Sequence, residues 1–169
     1  MENGKTYEFD EIASLSAVAV GEPGKRTFFI VVGQINEWVR VWLEKQELQA
    51  LALAIRRLLV TISQDNPLSR QEAQVTQSSD DVPSTLPSAE LDVRGVTLSY
   101  DGEKVTLDIS VQVLGPQRLD HAELHCRTTI TQLRRFGYRA ESVCAAGRPI
   151  CPLCGGPIDQ EGHVCPRNN

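Results

Sequence analysis

The chain has 169 residues, 41% of them hydrophobic and 23% charged, with a formal net charge of −5. That apolar share is enough for a packed core and excludes a wholly disordered chain, and no run of about 18 apolar residues is present to span a membrane as a helix. The opening residues, Met1 to Asp10, lack the apolar stretch and cleavage site of a secretory leader, so the expected compartment is the cytoplasm.

In chain order, Leu15–Val20 reads as a strand, and Gly21-Glu22-Pro23-Gly24 as a turn, because proline fixes φ and glycine permits positive φ. Arg26–Val32 and Glu37–Leu43 are the next two strands, separated by a turn over Gly33 to Asn36. A helix is predicted from Glu44 to Ile62, with Leu48, Leu51, Ala52, Ile55, Leu58, Leu59 and Ile62 at three- and four-residue steps. After a polar stretch, Val93–Tyr100 and Glu103–Leu114 form strands joined by Asp101-Gly102, a dipeptide suited to a tight hairpin. Val105, Leu107, Ile109, Val111 and Val113 alternate with polar residues, so one face of that strand is buried. Leu119–Arg127 is a further strand. A second helix runs from Ile130 to Ala146, with Leu133, Phe136, Gly137, Ala140, Val143 and Cys144 inward, and is stopped by Gly147 and Pro149.

These elements divide the chain into a first strand–strand–strand–helix half (1–62), an acidic polar linker (63–90), a second half of the same order (91–146) and a tail (147–169). The linker contains Pro67, Pro83 and Pro87 and little apolar bulk, so it cannot offset its ordering entropy by burial. The expected fold class is α+β: antiparallel sheet or sheets, built from the two halves, each covered by a helix stripe, plus a small zinc-knuckle tail.

The chemistry lies in the tail. Cys151 and Cys154 form a C-x-x-C pair, and His163 with Cys165 forms H-x-C after a short turn-rich segment. Two thiolates in a tight turn can reach one metal, and residues two apart on an extended strand project to the same side. Cys151, Cys154, His163 and Cys165 together make a closed Cys₃His set suited to structural Zn²⁺, with no open position for a reacting water. A disulfide is disfavoured by the reducing compartment and by the odd total of five cysteines. Cys126 and Cys144 read as small core hydrophobes. His121-Ala122-Glu123-Leu124-His125 superficially suggests a zinc protease, but the Glu stands one place late and a strand would hold the two His about 13 Å apart.

Several segments carry a likeness to a known family. Gly21-Glu22-Pro23-Gly24-Lys25-Arg26-Thr27-Phe28-Phe29, Leu43-Glu44-Lys45-Gln46 and the tail pattern, Gly147-Arg148-Pro149-x-Cys151-Pro152-x-Cys154-Gly155 with Gly162-His163-x-Cys165-Pro166, resemble a bacterial domain-of-unknown-function family. That family is found chiefly in actinobacteria and chloroflexi, and its members are labelled conserved hypothetical or "repeat" proteins. The resemblance implies architecture and metal binding rather than a mechanism.

No catalytic constellation accompanies the metal residues, so the sequence favours a non-enzymatic adaptor or regulatory module that binds another protein. Trp38, Arg40 and Trp42 share one strand face and are candidates for the contact surface. One alternative is an enzyme or sensor of phosphorylated ligands with a pocket between the halves, using Arg26 or Arg40 to hold an anion. Another, disfavoured by the small positive charge of residues 118–169, is a nucleic-acid binder using Arg134, Arg135, Arg139, Arg148 and Arg167.

Overall fold

The computed structural model describes residues 4–65, 82–116, 121–159 and 161–167. Its first strand, β1 (Lys5–Phe9), was not expected from the sequence. Then β2 (Ser14–Val20), β3 (Thr27–Gly33) and β4 (Trp38–Leu43) form an antiparallel meander followed by helix α1 (Lys45–Asp65). A second meander, β5 (Ala89–Tyr100), β6 (Val105–Leu114) and β7 (Ala122–Thr128), leads into α2 (Ile130–Ala145). The β5–β6 turn is fixed by the Asp101 carboxylate, which accepts from the amides of Glu103 (2.9 Å) and Lys104 (2.8 Å). A capping box starts α2: the Gln132 amide donates to the Thr129 hydroxyl (3.2 Å) and the Thr129 amide to the Gln132 side chain (3.0 Å).

The two meanders share a single seven-stranded sheet of order β1-β7-β6-β5-β4-β3-β2. The expectation of a purely antiparallel sheet is therefore corrected, because β4 pairs with β5, and β1 with β7, in parallel. The physical reason is the crossover: after β4, α1 returns the chain across the sheet, so β5 sets out in the same direction as β4. Of the expected linker, residues 66–81 lie outside the described residues. Toward its end the Ser88 amide donates to the Trp38 carbonyl at 2.7 Å, and Glu90 already belongs to β5.

β1 and β2 are opposite edges of this sheet, yet only the four residues Asp10 to Ala13 separate them in sequence. Five peptide steps span at most about 18 Å, whereas seven flat strands would set their edges about 29 Å apart. The sheet is accordingly curled. Its concave side and the inner faces of α1 and α2 form one core, which includes Phe9, Ile30, Val41, Leu91, Ile109 and Leu124 from the strands and Leu48, Ile55, Leu133 and Phe136 from the helices. Helix α2 lies against β2. Gln132 Nε2 donates to the carbonyl of Ile12 at 2.8 Å and Arg139 Nε to that of Ala17 at 3.3 Å, so the helix covers the β2 edge and the loop that leads into it.

Candidate metal centre

The tail begins one turn beyond α2, where a short hairpin forms around the first cysteine pair. The Cys151 amide donates to the Gly156 carbonyl (2.8 Å) and the Gly155 amide to the Cys151 carbonyl (2.9 Å), a closed turn that needs positive φ at Gly155 (+72°). Ile150 then bridges Pro157, with the Ile158 amide on the Pro149 carbonyl at 2.7 Å. A second turn between Asp159 and Gly162 (2.9 Å) sends His163 and Cys165 back toward the first pair. Arg148 reaches across to the Asp159 carboxylate (2.7 Å), and Arg167 donates to the Leu153 carbonyl (3.1 Å). The sequence reading did not single out Asp159; its place before the Gly162 turn is the one signal that points to it.

The four expected ligands come together as a Cys₃His cluster that can hold a metal ion. Their ligand atoms all lie within 4.8 Å of one another, with Cys151 Sγ 3.9 Å from Cys165 Sγ and Cys154 Sγ 3.3 Å from His163 Nε2. A tetrahedral ion with bonds of 2.3 Å to sulfur and about 2.05 Å to nitrogen has edges of about 3.8 Å between thiolates and about 3.6 Å from thiolate to imidazole. The Cys151–Cys165 and Cys154–His163 pairs thus already stand near those separations.

Local electrostatics also favour a cation. The backbone amides of Cys154 and Leu153 hold the Cys151 thiol below its ordinary value of 9.0. At Cys165 the Arg167 amide acts in the same sense but is outweighed by burial and by the neighbouring sulfurs of Cys154 and Cys151, so its thiol is raised. A divalent ion at the centre would remove that repulsion between sulfurs. The tail has little core of its own: Cys151 is buried, whereas Ile150, Leu153 and Val164 are 69%, 51% and 90% exposed.

The other sequence candidates are placed elsewhere. Cys126 and Cys144 are buried in the main core; burial pushes the Cys126 thiol up to about 12 and also raises that of Cys144, against an opposing effect of Lys45. His125 sits on β7, bonded to Asp108 at 2.6 Å, so the segment from Ala122 to His125 is a strand and not a metal-binding helix. Trp38, Arg40 and Trp42 do share the convex face, but they are turned to one another and to the sheet. Trp38 is 1% exposed and its indole donates to the Thr85 carbonyl (3.1 Å). Trp42 donates to Glu90, and Arg40 pairs with the same carboxylate at 2.8 Å while lying over the Phe29 ring at 4.9 Å. Arg26 and Arg40 do not line the cleft between α1 and α2, about 350 Å³ in volume, where the two halves meet; Ile55, Leu59, Gly137 and Tyr138 do. Arg139, Arg148 and Arg167 each bond a partner within the chain.

No helix among the described residues is long and apolar enough to cross a membrane. No curated protein and no solved structure matches the chain. A family model described as "Protein of unknown function (DUF3090)" matches residues 7–165, a span that runs from β1 to the last cysteine of the cluster, and the chain belongs to that family.

Proposed function

We propose that the protein is a structural zinc protein of the cytoplasm, in which Cys151, Cys154, His163 and Cys165 clamp one Zn²⁺ and the folded knuckle docks on another protein. The observation that carries this reading is the pairing of a complete four-donor cluster with apolar side chains turned to solvent. Three sulfurs and one imidazole gathered at one point suit zinc better than the harder divalent ions, which take oxygen ligands. Four protein ligands leave no place on the ion for a reacting water, so the metal supplies folding energy to a segment that has almost no core. Ile150, Leu153 and Val164 are then available as anchors for a partner, set on a rigid α+β body.

Metal analysis of the purified chain tests the first part: one zinc per chain is expected, and Cys154→Ser is expected to lose both the ion and tail order while the body stays folded. Free or disulfide-bridged thiols in the native protein would overturn it. For the second part, a Leu153→Asp, Val164→Asp double variant keeps its zinc but loses the partner that the native chain retrieves after crosslinking in cytoplasmic extract. Unchanged retrieval, or no protein retrieved at all, would overturn the docking role.

A further inference from the structure

We infer that the cleft between the β2–β3 turn, the start of α1 and the tail binds a small phosphomonoester. The chain as a whole is acidic, at −5. This cleft nevertheless draws Arg26, Lys45 and Arg148 into its lining, against Glu44 as its one lining carboxylate. Arg26 and Lys45 are half-buried, and among the described residues neither forms an ion pair. Half-buried cations without a carboxylate lose hydration and gain no charge partner, a balance that an incoming anion corrects.

Two glycines make room for this charge. A Cβ at Gly24, whose φ is +92°, would stand 3.0 Å from Arg148 Nε, so the bare backbone lets the guanidinium lie against the β2–β3 turn. A Cβ at Gly147 would stand 3.1 Å from Lys45 Nζ. Arg148 is further held through its Nη1 by the Asp159 carboxylate at 2.7 Å. A phosphomonoester carries a charge of about −1.5 to −2 at neutral pH and offers oxygens that guanidinium groups can bond in pairs.

Size points the same way. The cleft holds about 310 Å³, near the small end of ligand sites. Beyond the phosphoryl group it leaves space for a compact organic part against Phe28, Ile150 and Pro157. Because Ile150, Gly155 and Pro157 belong to the tail, this site rests on the metal-clamped knuckle proposed above.

Calorimetric titration of the zinc-loaded full chain with inorganic phosphate and with phenyl phosphate tests the inference, metal content being measured on the same sample. Both should bind, phenyl phosphate the more tightly. Arg26→Gln and Lys45→Gln should each weaken binding by about tenfold or more, the loss of one charge-assisted bond, while Arg94→Gln on β5 should leave it unchanged. Zinc-loaded protein that binds neither ligand, or equal affinity in the Arg26 and Lys45 variants, overturns the inference and leaves the metal reading intact. A third arm uses vesicles containing phosphatidic acid: binding to these without any response to the soluble ligands overturns the small-molecule assignment in favour of a lipid headgroup.

Discussion

Gly33 ends β3 opposite Trp38, and replacing it with alanine should loosen the whole convex face. The added Cβ would stand 2.4 Å from the Glu37 carbonyl oxygen, 2.4 Å from Trp38 Cα and 2.5 Å from Trp38 Cβ. Carbon atoms pack best at about 3.5–4.0 Å, so roughly 1 Å of separation is needed. No rotamer change supplies it, since all three neighbours are backbone atoms or the first side-chain carbon. The Glu37 carbonyl is also tied to the Gln34 amide at 2.7 Å, and Trp38 to Ser88 and Thr85. Overpacking of this kind costs about 1–3 kcal/mol, and with three rigid contacts we expect about 3 kcal/mol. For a chain of this length that lowers Tm by about 6–12 °C. Thermal and urea unfolding read the loss, and intrinsic fluorescence reads its place, because both tryptophans, Trp38 and Trp42, border this contact. Gly95→Ala is the control: nothing lies within 4 Å of its added Cβ, and stability should hold or rise slightly. A Gly33→Ala protein that melts within about 2 °C of the parent, with unshifted emission, would refute this reasoning.

Further expectations can be checked with the same preparations. Phe136 is fully buried between α2 and the sheet, so Phe136→Ala should cost about 3–5 kcal/mol in urea unfolding; a loss below 1 kcal/mol would contradict the packing. With a thiol reagent near pH 8, the metal-loaded chain should show no rapidly reacting cysteine. A chelator should release Cys151, Cys154 and Cys165, while Cys126 and Cys144 wait for denaturant, since burial raises both thiols. Asp101 is held below its ordinary value of 3.8 by the amides of Lys104 and Glu103, with help from Arg127. Its contribution to stability is therefore complete above pH 3.8 and is lost as the pH falls below it. Asp101→Ala should be less stable than the parent at pH 7, and the gap should narrow in acid. A gap of constant size across that range would count against the turn geometry.

Much of the molecule was legible because its signals are local. Period-two alternation in Val105–Val113 and the apolar stripe through Leu48, Leu51, Ile55 and Ile62 each reported a nearby environment, and the structure buries those faces. The cysteine tail was legible for the same reason, since ligand spacing within fifteen residues is a short-range property. The parallel pairings were not, because which strand neighbours β4 is decided by where α1 sets the chain down. β1 escaped notice because five residues with only Tyr7 and Phe9 inward make too short a pattern, and its partner β7 lies near the other end of the chain. The tryptophans illustrate a different limit. Their shared face follows from alternation, but that Glu90 and Thr85 occupy their indole nitrogens depends on a segment far away in sequence. Lys45 falls at the start of the expected helix, and that it lines one cleft with Arg26 and Arg148 depends on three segments far apart in sequence.

The pairing of Lys5 with Ala122 has a consequence for how the protein is made. During synthesis β1 leaves the ribosome before β7 and must wait, unmatched, until β7 has followed it. Each three-strand meander can assemble from its own hairpins in the meantime, whereas the β1–β7 pairing joins the strands farthest apart in sequence and is expected to form last. A product cut short before α2 would leave the β2 border without the helix that lies against it, the kind of surface on which nascent chains stick together.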